Sequence, residues 1–208
     1  MRLQQSTWQE VEAYLKAANG IVMPIGSTEQ HGPAGVIGTD AICAATLAWG
    51  VGEATGALVG PTLTVGMSEH HMRFPGSMTL RPSTLIAVVR DCVLSLAAHG
   101  FCRFFFVNGH GGNLASLQAA FFEVYHEVRP IGGGAMPDLR CKAVNWWQDE
   151  TVRALGRQLF GIADGSHASA SEVSVAQAVD AATIRSAPLD PPVAPAGSFF
   201  NADTFRDR

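Results

Sequence analysis

The sequence predicts an α/β fold with a mostly parallel sheet covered by helices on both faces, and three observations carry that expectation. Short apolar runs suited to buried strands alternate with amphipathic stretches suited to helices. Glycines and polar clusters mark the changeovers. Polar residues of metal-binding type gather directly after the apolar runs, where a parallel sheet collects ligands at its carboxyl edge.

Ser6-Thr7-Trp8-Gln9-Glu10 predicts a helix start, because a hydroxyl three residues ahead of Gln or Glu forms a capping box. Trp8, Val11 and Leu15 then share one face, and Gly20 is expected to stop the helix. Residues 21–25 make a short buried strand, followed by a polar, glycine-rich stretch over 26–40 and a helix over 41–53. The pattern repeats with a strand over 57–65 and a histidine-rich loop over 66–76. Ser83 begins a helix carrying Leu85, Val88, Val89, Cys92 and Leu96, which Gly100 terminates. Residues 102–107 are an almost continuous apolar run, as a doubly covered parallel strand requires. A polar turn over 108–113 leads into a helix reaching about residue 128. A further strand over 139–145 precedes helices near 150–159 and 171–179. Residues 186–208 are proline-rich and aperiodic, so the folded domain is expected over 1–185 with an extended arm beyond it, on the surface or reaching a neighbouring subunit.

The 208 residues suffice for one domain with a sizeable core. With 47% apolar and 15% charged residues the composition is globular rather than disordered. Low charge together with 22 glycines points to surface hidden between subunits of a homo-oligomer. A net charge of -4 without a local basic cluster offers no footprint for nucleic acid or an anionic membrane. The first residues lack the apolar core of a signal peptide, and no apolar run is long enough to span a bilayer. Cys43, Cys92, Cys102 and Cys141 form no CxxC pair and read as reduced cysteines of a cytoplasmic protein.

Three expected strand ends carry the chemistry: residues 26–32 with 38–40, residues 68–71, and residues 108–113. Glu29, His31, Asp40 and His110 are a carboxylate and imidazole set without thiolate, suited to zinc, manganese or Fe(II). One carboxylate can bridge two ions, and two ions a few ångströms apart can activate water and polarise a carbonyl together. Each piece alone also fits a solvated loop, and residues 108–113 fit a tight turn whose histidine caps a helix. A nucleotide-binding phosphate loop is not expected, since the turn lacks both GxGxxG and the lysine of a P-loop. Four ligand-type residues at two ends of one sheet edge favour metal over the solvated alternative.

At these residues the chain resembles the creatininase (creatinine amidohydrolase) family. GSTEQHGPAGVIGTD, GMSEHHMRFPGSMTL, VNGHGGN and HASASEVS are similar to four family motifs in the family's order, between about Thr7 and Val179. The resemblance implies a three-layer α/β/α fold, a hexameric assembly, and hydrolysis of amide-type bonds with two divalent ions per chain, commonly zinc, manganese or iron. It implies Glu29, Asp40 and His110 as ligands of one ion and His31 and Asp40 as ligands of the other, with Asp40 bridging. Creatininase carries an acidic ligand two residues after its central histidine, whereas Gly111-Gly112-Asn113 follows His110 here. Glu172 is the residue expected to fill that vacancy.

By the same resemblance His167 is the catalytic histidine, donating a proton to the departing nitrogen after a metal-bridging hydroxide attacks the carbonyl. Glu69, His70, Trp146 and Asp164 are expected to contact substrate, with Trp147 beside Trp146 as part of an aromatic wall and core packing as the alternative for both tryptophans. Departures count against creatinine itself: no tyrosine follows His110, and Ala163 stands where creatininase has a tryptophan. Ser169 and Val173 replace the glycine and threonine of the third motif. Family members also continue past the equivalent of Asp207-Arg208 into a final helix, so a naturally short relative or a piece of a longer chain is expected. The expected activity is hydrolysis of a non-peptide amide, cyclic amide or formamide in a small molecule. The alternatives are trimming of a modified precursor peptide and a metal-binding, non-catalytic partner subunit.

Overall fold

Four short strands define the sheet: β1 (Gly20–Ile25), β2 (Leu58–Val59), β3 (Arg103–Asn108) and β4 (Arg140–Asn145). The computed structural model describes residues 1–130 and 138–190. The strands lie in the order β2-β1-β3-β4, and every pairing is parallel. Between and around them run α1 (Trp8–Leu15), α2 (Thr39–Thr55), α3 (Pro82–Ala97), α4 (Leu114–Glu127), α5 (Glu150–Phe160) and α6 (Ala170–Val179).

Side chains alternate across a strand, so each strand feeds two cores. Ile21, Met23 and Ile25 of β1 join Phe104 and Phe106 of β3 in a buried cluster with Leu85, Val89 and Val93 of α3 and Leu117, Ala120 and Val124 of α4. Val22 and Val107, from the intervening positions, pack instead with Ala48 of α2. Both sheet faces are thus covered, which explains the unbroken apolar runs over residues 21–25 and 104–107. The result is three layers, with α2 on one side and α3 and α4 on the other.

Thr7 caps α1 in a capping box with Glu10. Of the expected apolar face, Val11 and Leu15 pack on the core while Trp8 is 71% exposed. The helix ends at Leu15, and Gly20 opens β1 instead of closing α1. The strand expected over 57–65 contracts to two residues, because Pro61 has no N–H to extend the ladder. Pairing resumes at Leu63, which bridges Ile25. Residues 186–190 of the expected arm contain no helix or strand, and residues 191–208 lie outside the described residues.

The carboxyl edge is flush: Ile25 pairs with Asn108, and Asn108 with Asn145. Loops leaving these three strands therefore start side by side.

Candidate metal centre

Two glycines set the depth of the site. A Cβ at Gly26 would overlap the Ala41 backbone, and one at Gly109 would overlap the Asp40 carbonyl. Their absence lets the first turn of α2 sit directly on the ends of β1 and β3. Asp40 lies in that first turn, where the helix dipole favours a carboxylate. The loop after β1 delivers Glu29 and His31, and the turn after β3 delivers His110. Asn108 shapes that turn, accepting from the His110 N–H and donating to Asn145.

Glu29, His31, Asp40 and His110 are all buried, and they converge. His110 Nδ1 lies 3.2 Å from Glu29 Oε1 and 3.1 Å from Asp40 Oδ2. His31 Nε2 lies 2.9 Å from the other Asp40 oxygen, Oδ1. Both Glu29 oxygens and Asp40 Oδ2 are nevertheless buried without a well-formed hydrogen bond. Orphaned carboxylate oxygens are costly in a core, and one imidazole nitrogen nearly equidistant from two of them is the geometry a shared cation satisfies. The far sides of both rings meet backbone carbonyls. His31 Nδ1 is 3.1 Å from the Glu29 carbonyl, and His110 Nε2 is 2.9 Å from that of Met67. A ring N–H donated to a carbonyl leaves the opposite nitrogen as a metal ligand.

Glu172 arrives from α6. Its Oε2 accepts from the Ser169 N–H and hydroxyl in a capping box, while its carboxylate also joins His31 and Asp40 in a group whose ligand atoms lie within 4.8 Å of one another. No side chain fits at Gly112, since a Cβ there would overlap the His110 ring and the Met67 carbonyl. Two further groups of the same tightness are Glu29, His70 and His110, and Glu29, His31 and His167.

The charges are those of a crowded anionic site. Burial opposes the Glu29 and Asp40 charges, but His110, joined by His31 at Asp40, outweighs it and holds both carboxyls below their ordinary values. Burial likewise opposes a charged His31, yet the Asp40 hydrogen bond pushes it up to about 9. His110 is raised for the same reason by Glu29 and Asp40. Glu172 is raised by burial and by its neighbour Asp40.

Behind these residues, Gln30 organises two more histidines. Its Oε1 accepts from the Gly32 N–H, which fixes the amide so that Nε2 faces His71 Nδ1 at 3.0 Å and His167 Nε2 at 2.9 Å. His167 Nε2 also lies 3.0 Å from the Gln30 carbonyl. One residue therefore offers His167 Nε2 both a donor and an acceptor, accommodating the proton on either ring nitrogen. His167 Nδ1 points toward Glu29 Oε1 at 3.8 Å. Burial and the adjacent His31 push His167 below its ordinary value, and burial pushes His71 down to about 3. Both shifts favour the neutral imidazole.

These groups open into a cavity of about 780 Å³ lined by Glu29, Asp40, His110, His167 and Glu172. Of the residues expected to touch substrate, His70 and Asp164 line it and Glu69 and Trp146 do not. Glu69 opens a single 3-10 turn (Glu69–His71), whose three side chains diverge by about 120°, so His70 and His71 turn inward and Glu69 is exposed. Trp146 is buried edge-on to Trp147, and Trp147 is the ring on the cavity wall. Asp164 Oδ1 accepts from the Ser171 N–H, anchoring the start of α6. His71, Gln30, Arg153 and Arg157 escaped the sequence reading. The adjacency of His71 to His70 and the four-residue spacing of the arginines were the available signals.

A family model for creatinine amidohydrolase matches residues 4–207. The creatinine amidohydrolase of Pseudomonas putida is 30% identical over 160 residues, covering 74% of this chain and 60% of that protein. The mycofactocin precursor peptide peptidase of Mycolicibacterium smegmatis is 37% identical over 118 residues, covering 54% of this chain and 47% of that protein. The chain thus spans less than two thirds of either relative's length. A solved structure of a manganese creatininase superposes with a TM-score of 0.79 at 26% identity, covering 99% of this chain and 84% of that one.

Proposed function

The chain belongs to the creatininase family, and on that premise we propose that it is a metal-dependent amidohydrolase cleaving a non-peptide amide, cyclic amide or formamide bond in a small molecule. The observation that carries this reading is the convergence of Glu29, His31, Asp40, His110 and Glu172 around buried carboxylate oxygens without hydrogen-bond donors. Glu29, Asp40 and His110 would hold one divalent ion and His31, Asp40 and Glu172 a second, zinc, manganese or iron. Asp40 suits the bridging place, because its two oxygens face different histidines. Ions bound there would polarise the substrate carbonyl and lower the pKa of the attacking water.

The protein's own groups supply the rest. The neutral His167 accepts a proton at Nδ1, the nitrogen facing the ligand set, and delivers it to the departing nitrogen. Gln30 satisfies Nε2 before and after that transfer. Trp147 gives the cavity an aromatic wall, and the Leu114 and Val152 side chains limit water there. We also infer a cytoplasmic homo-oligomer, a hexamer by family resemblance. Exposed Leu155, Leu159 and Ile162 on and after α5 and the four free cysteines support it. No helix among the described residues is long and apolar enough to cross a membrane.

A second reading, trimming of a precursor peptide, is favoured by the 37% identity to the mycofactocin precursor peptide peptidase. Assaying small amides, lactams and formamides against short peptides separates the two. Turnover of a small amide, lowered about 10²- to 10⁴-fold in His167→Ala with metal retained, is the expected result. Turnover of peptides alone selects the second reading. Metal uptake without any turnover selects a non-catalytic partner subunit.

A further inference from the structure

We propose that the substrate carries an oxyanion, carboxylate or phosphate, held by Arg153 and Arg157 of α5 while its amide end faces Glu29, Asp40 and His167. This rests on the amidohydrolase reading and adds to it the charge of the substrate. Arg153 and Arg157 are four residues apart, so they share one face of α5, and both line the cavity that contains the candidate metal ligands. Neither guanidinium has an ion pair or hydrogen bond among the described residues. Of the nearby acids, Asp149 and Asp164 each use one oxygen on backbone N–H groups. Asp149 caps α5 through the N–H groups of Thr151 and Val152, and Asp164 accepts from Ser171.

The helix is held against the site from beneath. A Cβ at Gly156 would come within 2.9 Å of Asp164 Oδ2 and 3.0 Å of Ser171 Oγ, so glycine permits α5 to lie close to the start of α6. That contact fixes the backbone from which both arginines reach the cavity. Guanidinium forks match the paired oxygens of a carboxylate or phosphate. The charge distribution also sets direction. Three carboxylates, those of Glu29, Asp40 and Glu172, lie at the reacting end, and two unpaired cations lie on the wall formed by α5. The two guanidinium forks hold an anionic tail at α5, which leaves the amide end to face the ligand cluster, whose carboxylates the divalent ions would offset.

The test uses calorimetric binding of three probes to the protein as purified: succinamate, its methyl ester, and 3-phosphonopropionamide. Succinamate is expected to bind about tenfold more tightly than the ester, and Arg153→Gln/Arg157→Gln is expected to abolish that difference with the unfolding midpoint and metal content unchanged. High salt is expected to weaken the acids and spare the ester. Tighter binding of the phosphonate than of succinamate assigns the tail as phosphate, and the reverse assigns it as carboxylate. Equal binding of acid and ester, binding of no probe, or an acid preference that survives in the double variant overturns the proposal. Ammonia release then separates the two claims. Release from the ester as fast as from the acid keeps the hydrolase and removes the anion requirement. Arginine-dependent binding of the acid with no release from any amide keeps the anion site and removes the hydrolase.

Discussion

Each Asp40 oxygen faces a different histidine, Oδ1 at 2.9 Å from His31 and Oδ2 at 3.1 Å from His110, and a pH dependence follows from that division. Without metal, His31 is raised to about 9 and His110 also lies above its ordinary value. Groups raised on folding stabilise the fold below their unfolded pKa and lose that contribution as pH rises through the folded one. His71 and His167 are shifted down, so above about pH 7 they are neutral folded and unfolded and add no slope. Chelated protein should therefore melt at progressively lower temperature between about pH 7 and 9. Added zinc or manganese should remove the histidine part of the fall, because the ions displace those same protons, and leave the part due to the Cys43 and Cys141 thiols, which burial also raises. Melting curves across that range, with and without chelator, check the sign. Beside His167, Ala168 has φ 51, a left-handed conformation that costs a non-glycine residue about 1 kcal/mol. Ala168→Gly should raise stability by about that amount in denaturant unfolding. The convergence of Glu29, His31, Asp40 and His110 was legible because polar residues after a parallel strand have one place to go. Gln30 was not, since its role depends on an amide orientation that the Gly32 N–H sets in three dimensions.

At the scale of elements, α2 matters most, because its first turn must touch two strand ends. Gly109→Ala places a methyl group against the Asp40 carbonyl. The expected cost is about 1–3 kcal/mol, with loss of bound metal as Asp40 moves away from His110. Thermal unfolding and elemental analysis of the variant check both. At the other end of the chain, Thr7→Ala removes the α1 capping box and should cost about 1 kcal/mol without touching metal content. The order and type of elements were readable from periodicity, and the short β2 was foreshadowed by Pro61, whose missing N–H outweighs the apolar pattern around it. The inward turn of His70 and His71 was hidden. A 3-10 turn and an extended loop send the same residues to opposite sides, and nothing local in Ser68-Glu69-His70-His71 chooses between them.

Across the whole molecule, the parallel sheet makes one site from distant segments: the loops after β1 and β3, the start of α2, and the start of α6. Five of the chain's seven histidines, His31, His70, His71, His110 and His167, stand together at that edge, which is hard to reconcile with a merely solvated rim. Their cost to folding is offset if the assembled ligands bind cations, so bound metal should raise the unfolding midpoint. Elemental analysis of protein purified without added metal or chelator, beside Asp40→Asn, is the direct test. About two ions per chain are expected, falling sharply in Asp40→Asn. Essentially no metal in the parent protein, with no uptake on adding zinc, manganese or Fe(II), would contradict that expectation.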